Sequence, residues 1–176
     1  LLAIGKVPVV CTNYDFSETS ICSYIDNVVI LEAGSAKVGF IGLNVKLENL
    51  VDPTACEGVK WQNAVNLADK EAEKLRAEGA DIVIALSHLG YQKNSEEKWY
   101  DRGIVLNTKH IDMIIGGHSH TTLRKAEYVA NADGDSVPIV QTGSKGLNLG
   151  YAKIKLDNDG NPTFDYRLIP VNSRLD

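Results

Sequence analysis

The 176-residue sequence predicts an α/β fold of mixed α+β character, organised as a single domain over residues 1–176. Two continuous apolar runs, within 81–90 and 111–120, are typical of strands buried on both faces of a sheet. A helical segment precedes each run, and this alternation with short links indicates parallel strands joined by crossovers. After residue 126 short strands alternate with turn residues, which adds antiparallel pairs.

The first predicted strand is the apolar segment VPVVCTNY, residues 7–14, which breaks at Thr12 and Asn13. Cys11 within it is interpreted as a small core residue. The chain has three cysteines, an odd number, and none is spaced as CxxC. Neither a zinc knuckle nor a complete disulfide framework is therefore predicted.

A hairpin is predicted over residues 27–43. Its turn falls around Ala33 to Ala36, where Gly34 is free to take a positive φ. Residues 44–60 are polar and interrupted by Pro53, so we expect a loop there.

Two helices are expected between the hairpin and the second buried run. The clearer one spans residues 61–79, where Gly79 provides a C-terminal stop, and the weaker one spans about 96–108. The apolar residues of the first helix recur on one face: Trp61, Ala64, Val65, Ala68, Ala72 and Leu75.

Four short strands are predicted towards the end of the chain, at 126–130, 136–143, 150–157 and 162–171. Two Asp, Asn and Gly clusters separate them, NADGD and DNDGN. Both clusters resemble calcium-loop ligands, but the twelve-residue loop with its final Glu is absent, so we interpret them as hairpin turns.

Charge and hydropathy exclude two classes of partner. The net charge is -5 and the sequence pI is about 5.4, whereas proteins that bind nucleic acid polymers need a basic face to neutralise phosphates. No apolar run approaches the roughly 18 residues of a membrane span, so none is predicted. A phosphate-bearing ligand would require a local site, and a metal would provide one.

Three of the four histidines fall at one predicted edge of the sheet. His88 follows the first buried run, and His118 and His120 follow the second. Ligands of parallel α/β sheets bind beyond the carboxyl ends of the strands, and neutral imidazoles are good ligands for divalent metals. We therefore predict a metal site there. Gly116 and Gly117 are expected to let the backbone bend sharply and approach bound ions.

Other interpretations of these residues stay open. A histidine at a strand end can be a hydrogen-bonded structural residue, and His110, which precedes its strand at the opposite edge, is interpreted as a surface residue. Ser87 beside His88 suggests a nucleophile, but it has neither a GxSxG elbow nor an evident partner Asp. Serine hydrolase chemistry is therefore disfavoured.

The motifs ALSHLGY, IDMIIGGHSHT and PIVQTGSKGLNLG resemble those of the calcineurin-like metallophosphoesterases, most closely the 5'-nucleotidase branch. The likeness also includes VVCTNYDF and VGFIGL. It implies part of a four-layer αββα sandwich with two divalent ions, Zn, Mn, Fe or Co. By the same resemblance, His88 and His118 match ligands of one ion, and His120 matches a ligand of the other.

The sequence departs from the family in its anionic ligands. Three further family motifs, Asp-x-His, Gly-Asp and Gly-Asn-His, normally precede the segment that VVCTNYDF resembles. Neither an Asp-x-His nor a Gly-Asn-His string occurs in this chain, and Asp81 and Asp112 precede their strands. Two divalent ions about 4 Å apart need carboxylates to offset their repulsion. We therefore interpret the chain as the C-terminal portion of a metallophosphoesterase domain, completed by an N-terminal segment.

For the complete enzyme the resemblance implies hydrolysis of nucleoside 5'-monophosphates or related phosphate esters, a role in nucleotide catabolism. It also implies a separate C-terminal nucleotide-binding domain and a periplasmic or cell-surface location. No catalytic residue is assigned in this chain; Asn13 and Lys145 are predicted to bind substrate. An open apolar sheet face predicts self-association. The alternative is a non-catalytic remnant or partner subunit that binds at most one ion.

Overall fold

The computed structural model describes residues 7–48, 50–91 and 99–172. It contains ten strands, two α-helices and short 3-10 turns at Cys22–Tyr24 and Pro53–Cys56. The strands are β1 (Tyr14–Asp15), β2 (Val28–Ala33), β3 (Ala36–Asn44), β4 (Lys60–Trp61), β5 (Ile82–His88), β6 (Met113–Ile115), β7 (Glu127–Ala130), β8 (Ser136–Val140), β9 (Asn148–Leu156) and β10 (Pro162–Pro170). The helices are α1 (Ala64–Ala77) and α2 (Asp101–Leu106).

A six-stranded mixed sheet forms the centre of the fold, in the order β2-β3-β5-β6-β8-β7. The four middle strands are parallel, and β2 and β7 pair antiparallel at the two edges. The prediction of parallel strands at the two buried runs is confirmed. Because the middle strands run in one direction, the residues that follow β5, β6 and β8 all lie at the same edge of the sheet.

The two faces of this sheet are covered by different elements. Val83 and Ala85 point into the core formed with α1 and α2. Ile82 and Ile84 point the other way, towards the β9–β10 hairpin. Helices, central sheet and hairpin thus form three layers, which confirms the predicted mixed α/β class. On the hairpin side, Leu86 stays exposed because it lies further towards the carboxyl edge.

Helix α1 begins after Asn63, whose side-chain oxygen accepts hydrogen bonds from the backbone N–H groups of Val65 and Asn66. This cap fixes the first turn, so Trp61, which the periodicity assigned to the helix, lies in β4 instead. The predicted stop is confirmed, since Gly79 has a φ of 92° just beyond the helix. The helix buries Ala64, Ala68, Glu71, Ala72 and Leu75.

Two predicted elements are shorter in the structure. Residues 7–14 do not form one strand, because Cys11 N–H donates to Asp26 while Thr12 N–H donates to Gly42. The segment thus divides its hydrogen bonds between two neighbours. The weaker predicted helix is confined to α2, and its expected start at 96–98 lies outside the described residues.

The predicted hairpin and turns are confirmed. The β2–β3 turn places Gly34 at a φ of 67°. In the turn between β7 and β8, Asn131 Oδ1 accepts hydrogen bonds from the backbone N–H groups of Asp133 and Asp135. Asp157 plays the same part between β9 and β10. None of the helices in the described ranges is long and apolar enough to cross a membrane.

We predict that Leu75→Ala lowers the free energy of unfolding by about 2–5 kcal/mol, because it opens a cavity between α1 and the sheet. Leu75 is fully buried, and its side chain closely approaches Gly39. Leu106→Ala is the matched control, since Leu106 is 51% exposed and its replacement should cost less than about 1 kcal/mol. Urea denaturation of both variants measures the difference, and equal losses would contradict the assignment of the core.

Candidate metal centre

The structure brings three imidazoles to the carboxyl edge of the central sheet. His88 is the last residue of β5, and His118 and His120 lie in the loop after β6. The rings of His88 and His118 have centroids 5.2 Å apart and planes inclined by 66°. His120 is close enough to influence the titration of His88.

None of these three rings forms a hydrogen bond or an ion pair with the part of the chain that the structure describes. Partial desolvation lowers the pKa of His88, and repulsion by His118 and His120 lowers it further. His88 therefore stays neutral to a lower pH than an ordinary imidazole. His110, in contrast, places its Nδ1 3.2 Å from Asp69 at the opposite end of the sheet.

Gly116 and Gly117 are required for close approach and not for bending. Neither has a positive φ. A Cβ on Gly116 would collide with the carboxyl group of Asp101, and a Cβ on Gly117 would lie 2.9 Å from Nδ1 of His88. The expectation that these glycines provide the sharp bend is thus wrong, because side chains of neighbouring elements occupy the space beside them.

The bend is formed by the histidines themselves. His118 has a φ of 66° and His120 a φ of 55°, both in the left-handed region. For residues other than glycine this conformation costs roughly 1–2 kcal/mol each. It persists only where surrounding contacts over-determine it, and such residues cluster at functional sites.

A buried carboxyl group lies beneath this edge. Asp101, at the start of α2, is fully buried, and its Oδ1 accepts a hydrogen bond of 2.5 Å from the Ser87 hydroxyl. Its Oδ2 has no hydrogen-bond partner among the described residues. Desolvation raises the pKa of Asp101 to about 7, although the hydrogen bond from Ser87 opposes this rise.

Ser87 therefore does have a partner Asp, contrary to the expectation from sequence. The serine donates to Asp101 in the interior, and its Oγ also accepts from the Leu89 N–H. Because Ser87 is buried, its hydroxyl has a structural role at the end of β5.

Asn13 lies at the same edge, one strand away from His88. Its side-chain amide donates to the carbonyl of Asn44 and accepts from the Asn44 N–H, both at 2.8 Å. Asn44 is paired with His88 in the parallel register of β3 and β5. Asn13 is fully buried, so both of its polar atoms are engaged within the protein.

Lys145 lies in the loop that follows β8. It is exposed and has a left-handed φ of 58°. This loop is tied to the histidine loop, since the Gly143 N–H donates to the Thr121 carbonyl at 3.0 Å. Lys145 is therefore on an exposed loop adjoining the three imidazoles.

The donor chemistry of the edge fits a divalent transition metal, because the three imidazoles are nitrogen donors and no described residue competes for them by hydrogen bonding. The fit is partial: within the described ranges no cluster of three His, Cys, Asp or Glu side chains could hold one ion. The two acids considered from sequence are engaged elsewhere. Asp81 accepts from the Lys37 N–H, and Asp112 pairs with Arg76.

Sequence reasoning missed Asp101 and Gln141. Asp101 lies within the weaker predicted helix, where an acidic residue is expected to face solvent, so only tertiary packing reveals its burial. Gln141 directly follows β8, and the rule that selected the histidines would have selected it too. It was missed because the sequence did not show that β8 joins β6 in the parallel part of the sheet.

Comparison with known proteins agrees with this architecture, although no protein-family model matches the chain. The sequence is 34% identical over 132 residues to the trifunctional nucleotide phosphoesterase YfkN of Bacillus subtilis, which covers 69% of this chain. It is 31% identical over 156 residues to a snake venom 5'-nucleotidase of Gloydius brevicauda, which covers 81%. The chain spans 9% and 25% of these two relatives.

Two solved structures have the same fold. The crystal structure of the calcineurin-like phosphoesterase YfkN aligns with a TM-score of 0.69 and 28% identity, over 94% of this chain and 56% of that chain. A 5'-nucleotidase precursor from Thermus thermophilus aligns with a TM-score of 0.83 and 24% identity, over 96% and 34%.

These sequence matches, together with the shared fold, place the chain in a family of phosphoesterases. The chain belongs to the calcineurin-like phosphoesterase superfamily. Within that superfamily it is related to the 5'-nucleotidases and corresponds to a portion of their length.

We predict that Asp101→Asn changes how stability depends on pH. The folded state holds the Asp101 proton more tightly than the unfolded chain, so this group favours folding most below its ordinary pKa of 3.8. That contribution declines as pH rises from there through about 7. Asparagine has no charge to desolvate. Between pH 4 and 8 the free energy of unfolding of the variant should therefore rise by roughly 2–4 kcal/mol relative to that of wild type.

Urea denaturation at several pH values measures this difference. Asp165→Asn, which changes an exposed aspartate of β10, is the control. A constant difference between Asp101→Asn and wild type across this pH range would show that the buried carboxyl group is not desolvated as described.

Proposed function

We propose that this chain forms part of a metal-dependent phosphoester hydrolase of the 5'-nucleotidase type. In this proposal His88 and His118 are ligands of one divalent ion, and His120 is a ligand of a second. The observation that carries it is the meeting of three imidazoles at the ends of two adjacent parallel strands, where none of them hydrogen-bonds to a described residue. Zn, Mn, Fe and Co all suit such nitrogen donors.

The electrostatics of the edge support this assignment. The lowered pKa of His88 keeps the lone pair of its ring nitrogen available for a metal ion. When bound, a pair of divalent ions supplies Lewis acidity and a water of lowered pKa. The carboxylates that offset the charge of two ions would come from other parts of the complete protein.

The neighbouring polar residues have two different roles in this proposal. Lys145, exposed on the loop beside the histidines, supplies positive charge towards the phosphoryl group. Asn13 has both amide atoms engaged by Asn44, which supports a part in fixing the end of β3 beside His88. We therefore expect Asn13 to influence substrate binding indirectly, by holding Asn44 at the end of β3 beside His88.

The substrate class in this proposal is a nucleoside 5'-monophosphate or a related phosphate ester, hydrolysed in nucleotide catabolism. The names of the relatives, a trifunctional nucleotide phosphoesterase and several 5'-nucleotidases, support this class. Base recognition would belong to a separate C-terminal domain. A venom 5'-nucleotidase among the relatives supports a location outside the cytoplasm, at a cell surface or in a periplasm.

Self-association is a further part of the proposal. Leu86 and Ile115 are 39% and 38% exposed at the ends of β5 and β6, beside the histidines. Exposed apolar residues at the end of a sheet face favour contact with another surface. In the complete protein this surface would be a preceding segment of the domain or a second copy.

A non-catalytic remnant is the second candidate. It is favoured by the absence of a three-ligand cluster within the described ranges. A remnant would bind at most one ion weakly and would not hydrolyse phosphate esters, so metal affinity and turnover together discriminate the two candidates.

We predict that His88→Ala, His118→Ala and His120→Ala each reduce nucleoside 5'-monophosphate hydrolysis by the intact protein with Mn²⁺ or Co²⁺ by at least about 100-fold. Each variant removes a proposed ligand, and ligand geometry governs metal-assisted hydrolysis. Release of inorganic phosphate measures the rate. Residues 1–176 alone should show little turnover, because they lack the carboxylate motifs.

His110→Ala is the matched control, because His110 contacts Asp69 at the opposite edge of the sheet. It should retain activity close to that of wild type. No phosphate release by the intact protein, despite Co²⁺ binding, would favour the remnant. Robust turnover by residues 1–176 alone would contradict the claim that additional carboxylates are required.

A further inference from the structure

A single buried amide holds the loop that carries His118 and His120. Gln141, directly after β8, is 1% exposed. Its Nε2 donates to the carbonyl of Gly117 at 3.0 Å, on one side of the two histidines. Its Oε1 accepts from the N–H of Thr121 at 2.5 Å, on the other side. One side chain thus bridges both ends of the segment that contains the proposed ligands.

The residue between the histidines is tied to the same amide. Ser119 Oγ lies 3.1 Å from Gln141 Oε1 and donates to it. The same oxygen accepts from the Tyr91 N–H at 3.1 Å and lies 2.9 Å from the Thr121 hydroxyl. Alternate residues of the loop are therefore hydrogen-bonded to Gln141, while the two histidine rings form no hydrogen bond with the described part of the chain.

The main chain of β8 fixes the position of this amide. The Gly116 N–H donates to the Val140 carbonyl, and the Leu123 N–H donates to the Gln141 carbonyl. The loop is thus attached before, within and after the histidines to the residues at the end of β8. Among the described residues, the side-chain hydrogen bonds of the histidine segment all involve Gln141 or Ser119.

These contacts account for the unusual backbone of the two histidines. Two left-handed non-glycine residues in one short loop are unfavourable unless neighbouring groups determine the path. A buried amide that loses its partners is itself costly, so Gln141 and the loop stabilise each other's arrangement. Without Gln141, we expect His118 and His120 to relax towards other backbone conformations. The imidazole of His118 would then move away from that of His88.

We infer that Gln141 is a positioning residue: its amide clamps Gly117 and Thr121, and this clamp directs His118 and His120 towards the His88 edge. The role as a metal-ligand clamp rests on the proposed function, whereas the effect on the loop does not. Changes to groups that orient metal ligands typically lower metal affinity by about 10–100-fold.

The test uses Gln141→Met in the intact protein, because methionine retains length and burial but removes every side-chain hydrogen bond. Ser119→Ala is a second variant, which removes the contacts of Ser119 Oγ with Gln141, Tyr91 and Thr121 but keeps both hydrogen bonds between Gln141 and the main chain. Asn131→Leu is the matched control, since Asn131 is also a buried amide that clamps a turn, at the opposite edge of the sheet. Calorimetric titration with Co²⁺ measures metal affinity. The NMR signals and hydrogen exchange of the backbone amides report the conformation of the loop.

For Gln141→Met we expect Co²⁺ affinity to fall about 10–100-fold, with a smaller fall for Ser119→Ala. Without metal, the amide signals of His118 and His120 should shift, and hydrogen exchange at Thr121 should accelerate at least about 10-fold. Asn131→Leu should leave Co²⁺ affinity and these signals unchanged, even if it lowers the denaturation midpoint as much as Gln141→Met does.

Unchanged loop signals and Thr121 exchange in Gln141→Met would overturn the inference, as would an equal loss of Co²⁺ affinity in Asn131→Leu. If wild type does not bind Co²⁺ while Gln141→Met still rearranges the loop, the proposed metal function fails and the positioning role of Gln141 stands. The two failures are therefore distinguishable.

Discussion

The parallel hydrogen bonding of β5, β6 and β8 is the constraint on which the candidate site depends. Ile84 to Leu86 are in register with Met113 to Ile115, and Ile114 and Ile115 are in register with Ile139 and Val140. The three strands therefore end at one edge of the sheet, with β5 extending further than β6 and β8, and their following loops share that edge. His88 reaches that edge within its strand, whereas His118 and His120 reach it through a loop that must turn back over the strand end.

That turn is made in an unusual way. Glycines commonly supply left-handed backbone, but here Gly116 and Gly117 have ordinary φ values and serve to admit Asp101 and the His88 ring. The histidines take the left-handed conformation. The two glycines thus lie where the side chains of Asp101 and His88 approach the backbone most closely. The left-handed backbone falls on His118 and His120, the proposed metal ligands.

The polar groups beneath the edge divide into two sets. Gln141, Ser87 and Asn13 are buried and make hydrogen bonds within the protein, as buried polar groups must. The three imidazoles above them make no hydrogen bond to the residues that the structure describes. Asp101 is the exception beneath the edge, since its Oδ2 has no hydrogen-bond partner among the described residues. The other buried groups hold the backbone around the imidazoles in place before any ion binds, which is how supporting residues orient metal ligands.

The sequence by itself determined the strands of the central sheet, the helix α1 and the edge on which the histidines fall, because those features follow from apolar periodicity, from Asn and Gly at element ends, and from the direction of parallel strands. It could not place Asp101 under Gly116 or Gln141 across the histidine loop. Those contacts join residues far apart in the chain through the packing of α2 and β8, and no local pattern encodes that packing. Only the tertiary structure decided which residues hold the imidazoles in place, since burial and register are properties of the assembled sheet.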